Sequence, residues 1–332
     1  MTTTNLIDTF GRRVHYLRLS VTDRCDFRCR YCMAEDMTFL PRSQVLSLEE
    51  LTTLARVFRQ LGVDKLRVTG GEPLIRRDVL HLFRNLGRLG FRDLTLTTNG
   101  ARLADFARPL VDAGVHRVNI SLDSLKPDRF RDITRTGDLA PVLKGITAAQ
   151  TAGFQRIKLN AVVLQHFNRD EVQDLVGFAL EGGMDISFIE EMPLGEIDGH
   201  QRREEFVSSA ELRAQLEPLY SLSPIEESSG GPARYWSVRG YDNRIGFISP
   251  HSHNFCSTCN RVRVSAEGRL LLCLGNEHSA DLRSVLRNAP VEEQDAALAS
   301  AILAALPQKP ERHHFNLEEP PQILRFMNAT GG

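Results

Sequence analysis

Cys25-Asp26-Phe27-Arg28-Cys29-Arg30-Tyr31-Cys32 places three thiols on one short stretch, directly after the apolar run Val14–Val21. Three thiolates in one turn can surround a soft metal centre but leave a four-coordinate site one ligand short. Cubane [4Fe–4S] clusters normally take four cysteine thiolates, so a cage of three leaves one iron open to a small molecule. Three other readings stand beside this one. Six cysteines is an even number and permits disulfides, although crowding three into one turn gives poor pairing geometry. Zinc takes thiolates readily but wants a fourth donor in a closed site, and the nearest histidine, His15, lies upstream in an expected strand. Buried, inert thiols are the third.

Outward from this stretch, short β-branched runs alternate with helical patterns. The strand candidates are Val14–Val21, Lys65–Thr69, Leu94–Thr98, Arg117–Leu122, Arg156–Val163 and Ile186–Glu191. Between them lie amphipathic stretches at Leu48–Leu61, Asp78–Leu89, Leu103–Ala113, Pro141–Ala152 and Arg169–Glu181. Such alternation argues for parallel βαβ units, and six of them make an α/β fold of the incomplete (β/α)6 TIM-type barrel class. A doubly wound open sheet is the alternative, but a lateral opening for a large substrate favours the partial barrel. Barrel enzymes gather chemistry at the C-terminal ends of their strands. Those ends here carry the cysteine stretch, Gly70-Gly71-Glu72-Pro73, Thr98-Asn99-Gly100, Ser121-Leu122-Asp123-Ser124, Asn160 and Glu190-Glu191-Met192-Pro193.

The character changes near residue 195. A charged segment, 200–208, and a loop at Ser228-Ser229-Gly230-Gly231-Pro232 are followed by hairpin-like runs at Arg234–Val238, Arg244–Ile248, Arg261–Ser265 and Arg269–Cys273. Helical patterns at Leu282–Asn288 and Val291–Leu306 and an apolar strip at Ile323–Met327 lead to Gly331-Gly332. The expected organisation is a barrel over 1–195 and a C-terminal α+β extension over 196–332. Lys+Arg 41 against Asp+Glu 42 gives a net charge of −1, so no global field draws the chain to nucleic acid or an anionic membrane. No signal peptide pattern or membrane-length apolar run is present, and a cytoplasmic location with reduced thiols is expected.

All six cysteines fall into two triplets, the second being Cys256, Cys259 and Cys273. His251, His253 or His278 would complete a Cys3His zinc site there, and zinc and iron–sulfur remain equal readings on spacing. In Cys259-Asn260-Arg261-Val262-Arg263 a strand would put both arginines on the cysteine's face, a setting for an anion, although solvated edge arginines give the same pattern. Arg156, Lys158 and Asn160 likewise share one face of a strand, and a lysine turned into a lumen needs an anion, unless it snorkels from a strand end. Gly70-Gly71-Glu72-Pro73 reads alone as a tight βα turn or as backbone left open to a ligand. It is not a phosphate loop.

Cys-x-x-x-Cys-x-x-Cys with Tyr31 before its last cysteine, and Gly-Gly-Glu-Pro after the second strand, together resemble the radical S-adenosylmethionine (SAM) superfamily. Leu17 to Cys25, Arg67 to Leu74, Cys256 to Arg263 and the terminal Gly331-Gly332 narrow the resemblance to the GTP 3′,8-cyclase family of molybdenum cofactor biosynthesis, across nearly the full length. Asp26, where that family usually has Asn, and Ala34, where Pro is common, depart from it. The resemblance implies a lyase with two [4Fe–4S] clusters at opposite ends of the barrel, the first binding SAM through positions matching Tyr31, Gly71, Ser121 and Met192. It implies GTP contacts at Arg18, Arg67, Thr98, Lys158, Arg261 and Arg263, and catalytic roles for Arg18, Arg261, Arg263, Gly331 and Gly332. The implied product is (8S)-3′,8-cyclo-7,8-dihydroguanosine 5′-triphosphate, passed on to cyclic pyranopterin monophosphate synthase. An electron donor and a monomeric or homodimeric state complete the expectation. A radical SAM peptide or cofactor maturase and a zinc-binding scaffold are the alternatives, and Arg24, Arg28 and Arg30 are left either on phosphate or in solvent.

Overall fold

The computed structural model describes residues 5–226 and 230–331, so Ser228, Ser229 and the expected catalytic Gly332 lie outside the described residues. The six expected barrel strands form as β1 (Tyr16–Ser20), β2 (Lys65–Thr69), β3 (Asp93–Thr98), β4 (Arg117–Ser121), β5 (Arg156–Val162) and β6 (Asp185–Ile189). They pair in parallel and in chain order. Beyond them come β7 (Leu222–Ile225), β8 (Arg234–Val238), β9 (Arg244–Ile248), β10 (Arg261–Val264), β11 (Arg269–Leu271) and β12 (Ser279–Asp281). One sheet holds them all, in the order β12-β11-β10-β1-β2-β3-β4-β5-β6-β9-β8-β7.

The hairpins form at β8–β9 and β10–β11. Their inner strands do something the alternation does not announce: β10 pairs in parallel with β1, and β9 in parallel with β6. An open six-stranded barrel leaves unpaired backbone groups on both edge strands, and the chain beyond residue 195 covers both. The C-terminal strands therefore extend the barrel's own sheet to eight consecutive parallel strands, flanked by antiparallel ones.

Five helices cover the outer face between barrel strands where expected: α1 (Leu48–Gln60), α2 (Val79–Gly87), α3 (Leu103–Asp112), α5 (Leu139–Ala152) and α6 (Val172–Glu181). α1 shows why the pattern was readable. Ser47 accepts from the Glu50 amide while the Glu50 carboxylate accepts from the Ser47 amide, and Leu51, Leu54, Ala55 and Phe58 line one buried stripe. The further helix α4 (Pro127–Thr134) carries little apolar periodicity, because four of its eight residues are charged and it buries only Phe130, Ile133 and Thr134. Pro127 at its first position was the available signal.

Each barrel strand separates two environments. Leu17, Leu19, Leu66, Val68, Leu94, Leu96, Val118, Ile120, Leu159 and Phe188 are buried under the helices. Tyr16, Arg18, Arg67, Thr97, Asn119, Lys158 and Asn160, at alternate positions, turn the other way into a central cavity. Among the described residues, no helix is long and apolar enough to cross a membrane.

Candidate active site

The first cage sits at the C-terminal mouth, on the loop leaving β1. Its shape is imposed from three sides. Phe27 meets Phe130 of α4 edge-on at 5.8 Å, and the amides of Arg28 and Arg30 donate to the carbonyls of Thr134 (2.9 Å) and Ile133 (3.0 Å) at the end of that helix. Gly70 and Gly71 press the next strand's loop against the approach to Cys25: a Cβ on Gly70 would stand 2.6 Å from the Thr22 carbonyl oxygen, and one on Gly71 2.3 Å from that of Arg24. The two glycines thus make room for this chain's own backbone, as the tight-turn reading of the stretch requires. Glu72 accepts from the Leu74 amide, the Thr98 hydroxyl and the Asn99 amide at 2.9, 2.8 and 2.6 Å. Thr98 lines the cavity with its hydroxyl committed to Glu72.

On the third side the C-terminal segment folds over the cage. The Met327 amide donates to the Cys32 carbonyl (3.1 Å) and the Asn328 side chain to the Asp23 carbonyl (2.8 Å). Tyr31 donates to Asp123 at 2.7 Å. Tyr31, Gly71, Ser121 and Met192 all line the cavity with Cys25, Cys29 and Cys32.

The second cage lies at the other mouth. Arg261 of β10 pairs with Tyr16 of β1, so Cys256 and Cys259, which precede β10, stand beyond the N-terminal ends of the barrel strands. β11 runs antiparallel to β10 and returns Cys273 to the same end. All three thiols line the same cavity as the first triplet. None of the histidines offered for a zinc site is on that wall, and the ring of His251 is bound through Nε2 to the Glu191 carbonyl at 2.8 Å. The histidine that does line it is His313, stacked on Phe315 at 4.1 Å. Among the described residues, no three Cys, His, Asp or Glu side chains are grouped as a single metal ion requires. Two sets of three cavity-facing thiols fit instead a larger thiolate-bound group such as an iron–sulfur cluster. The Phe27 amide already donates to Cys25 Sγ at 3.4 Å, in the way backbone amides serve cluster sulfurs.

Between the mouths the cavity, of about 260 Å³, has a basic wall of Arg18, Arg67, Lys158, Arg261 and Arg263. Burial and the repulsion of Arg263 hold Arg18 well below its ordinary range, and burial with repulsion from Arg261 brings Arg263 down to about 10. Tyr16 responds in the opposite sense. Burial would raise its phenol, but Arg67, Arg18, Lys65 and Arg261 outweigh it and pull the group down to about 7. So much positive charge on one partly buried wall suits an anion. Gly331 closes this region: its carbonyl accepts from Arg263 Nη1, its φ is +78°, and a Cβ there would lie 2.5 Å from Thr69 Cγ2. Sequence reasoning named Asp123 as part of a polar strand end, without a partner, and missed Tyr16, Asn119, Lys309 and His313. Only Tyr16 carried a signal, as the inward neighbour of Arg18 on an alternating strand.

Residues 19–179 match the sequence profile of the radical SAM superfamily, and residues 184–315 that described as Molybdenum Cofactor Synthesis C. A GTP 3′,8-cyclase of Saccharophagus degradans is 63% identical over 333 residues, covering 100% of both chains, and one of Marinobacter nauticus 60% over 332 residues, again 100% of both. The chain belongs to the GTP 3′,8-cyclase family. It is a radical SAM enzyme, and its superfamily implies SAM and a [4Fe–4S] cluster. Among solved structures, SuiB of Streptococcus suis bound to S-adenosylmethionine superposes with a TM-score of 0.61 at 15% identity, over 96% of this chain and 78% of that one, a likeness of fold.

Proposed function

We propose that this chain converts GTP to (8S)-3′,8-cyclo-7,8-dihydroguanosine 5′-triphosphate, the first step of molybdenum cofactor biosynthesis, with one [4Fe–4S] cluster held by Cys25, Cys29 and Cys32 and a second by Cys256, Cys259 and Cys273. The observation that carries this reading is that both triplets face one cavity from opposite ends of the strands, with five cationic side chains on the wall between them. β1 rises about 13 Å from Tyr16 to Ser20, at about 3.3 Å per residue, a length that a nucleoside triphosphate can bridge.

When bound at the first cage, the cluster and SAM supply a one-electron cleavage of a carbon–sulfur bond and with it a carbon radical able to take hydrogen from ribose C3′. The protein's own part is placement. Tyr31, Gly71, Ser121 and Met192 would line the SAM end, and Arg18, Arg67, Thr98 and Lys158 the nucleotide. Arg261 and Arg263 would hold the substrate beside the second cage, and Gly331 with Gly332 would reach the reacting end. Binding energy from the triphosphate is then spent on fixing C3′, a remote anchor serving the reacting atom. The buried wall and the C-terminal segment exclude water from a radical that water-borne side reactions would quench. The reading takes the cytoplasm, where thiols stay reduced, as its setting, with a one-electron donor upstream and the cyclic pyranopterin monophosphate synthase reaction downstream.

The test is anaerobic incubation of reconstituted protein with GTP, SAM and dithionite. 5′-Deoxyadenosine and a cyclised nucleotide are expected together, from protein holding about eight irons per chain, as two cubanes require. Deoxyadenosine formed without any change in GTP would favour a maturase, and about four irons would mean that only one triplet carries a cluster.

A further inference from the structure

Lys309 is 2% exposed, and its ammonium has three partners for its three N–H bonds: Cys259 Sγ at 3.5 Å, the Arg261 carbonyl at 3.1 Å and the Leu272 carbonyl at 2.6 Å. One side chain therefore ties the loop carrying Cys259, the first residue of β10 and the residue before Cys273. Among the described residues no carboxylate pairs with it. A cation removed from water costs several kcal/mol unless a negative charge faces it. Of its three partners only the sulfur can carry one.

Arg12 makes the contrast. It braces the same cage, donating to the carbonyls of Cys256 (2.8 Å), Pro310 (2.7 Å) and Glu311 (2.6 Å), but its charge is answered by Asp8 at 2.6 Å. Arg12 is a neutralised brace, whereas the charge of Lys309 is directed at a ligand sulfur.

We propose that Lys309 is a positioning residue that supplies the countercharge of the second cluster through Cys259 and sets its reduction potential; this rests on the two-cluster reading above. Adding an electron to a thiolate-bound cluster adds negative charge, and a fixed cation hydrogen-bonded to a ligand sulfur favours that reduced state. Lys309 therefore raises the potential of the second cluster relative to the same cluster without it.

The experiment uses full-length protein with Cys25, Cys29 and Cys32 all changed to Ser, so that only the second cluster is titrated with dithionite and followed by electron paramagnetic resonance. This parent must first hold about four irons per chain; a parent without iron would sink the two-cluster reading, separately from the present inference. Lys309→Met, which keeps the apolar stem, is expected to lower the midpoint potential, and Lys309→Arg, which keeps the charge, to stay near the parent. Should Lys309→Met fail to retain iron, retention by Lys309→Arg with the parent's spectrum supports the charge assignment. Unchanged potential and iron content in Lys309→Met overturns it. Loss of iron in both variants also overturns it, leaving a brace that only lysine's shape satisfies.

Discussion

The two cages are alike in ligand number and opposite in surroundings. The first lies among carboxylates: burial, with Glu72 and Asp26 for Cys25 and Asp123 for Cys29, raises both thiols, and burial takes Cys32 to about 12. The second lies among cations. Burial raises Cys256 and Cys273, but Cys259 is held below its ordinary value because Arg261 and Lys309 outweigh burial. An acidic cage suits a reactant with an ammonium and a sulfonium, as SAM has, while a basic cage at the end of an arginine-lined wall suits a nucleotide. On the proposed reading, one cavity would sort two charged reactants to its two ends.

The sharpest way to break that division is to remove one cage at a time. Cys29→Ser is expected to abolish deoxyadenosine formation. Cys259→Ser is expected to leave SAM cleavage measurable and abolish the cyclised nucleotide, each variant losing about half of the iron. Equal loss of SAM cleavage in both would mean that the cages do not act separately. Next in size is removal of Gly331 and Gly332. Arg263 loses the Gly331 carbonyl while neither cysteine set is touched, so iron content is expected to stay at the parent's level and cyclisation to disappear; a fully active truncated protein would count against the tail. Arg18→Ala should follow, with kcat/KM for GTP falling by two orders of magnitude or more, as stripping one partner from a desolvated charge contact costs about 2–5 kcal/mol. SAM cleavage without GTP should be unaffected.

How much of this could be read beforehand differs between the cages in the same way. The first is contiguous in sequence, and its strand, loop and Gly-Gly-Glu-Pro partner follow each other in the order the barrel uses them. The second is assembled from β10, β11 and a distant segment around Lys309, which carries no periodic signal and is fixed only by tertiary hydrogen bonds. The parallel docking of β9 and β10 was hidden for a related reason: a hairpin's alternation states which face is apolar but not which edge it will meet. Glu190 illustrates a third limit. Its place at a strand end advertised chemistry, yet it is buried and accepts from the amides of Ser209 (2.9 Å), His251 (3.0 Å) and Ser252 (3.1 Å), bracing the loop that leads to the second cage.

A smaller effect should report on the basic wall directly. Tyr16 is one of five tyrosines and the one drawn down to about 7 by surrounding arginines and Lys65 against its burial. A depressed phenol contributes stability that is fully present above its unfolded value, about 10, and is lost as pH falls through about 7. Ligand-free protein should therefore gain stability between those values, with a phenolate absorbance that Tyr16→Phe removes. GTP, by neutralising the same arginines, should push that titration upward and take up a proton on binding near pH 8. Absence of any tyrosine titrating below its ordinary range would mean that the wall is less positive than the packing of its side chains requires.

The smallest effect is expected at the arginines flanking the first cage, which the sequence left between phosphate and solvent. Arg30 donates to the carbonyl and carboxylate of Asp132 (2.8 and 2.5 Å) and lies 5.2 Å from the Phe167 ring, and Arg24 rests on Phe39 at 5.6 Å. Neither lines the cavity. Exposed ion pairs of this kind are worth about 0–1 kcal/mol, so Arg30→Ala should change KM for GTP less than about twofold and stability by about 0.5 kcal/mol at most. Arg28 differs from both, since it donates to the carbonyl of Cys25 at 2.6 Å. Arg28→Ala, which also loses a 2.9 Å hydrogen bond to the Phe27 carbonyl, should therefore lower the thermal stability of the cluster-loaded protein more than Arg30→Ala does, by about 1–2 kcal/mol for two lost hydrogen bonds, again with GTP affinity unchanged. A rise in KM for GTP in either variant would place the nucleotide at the acidic cage and undo the sorting of reactants by charge.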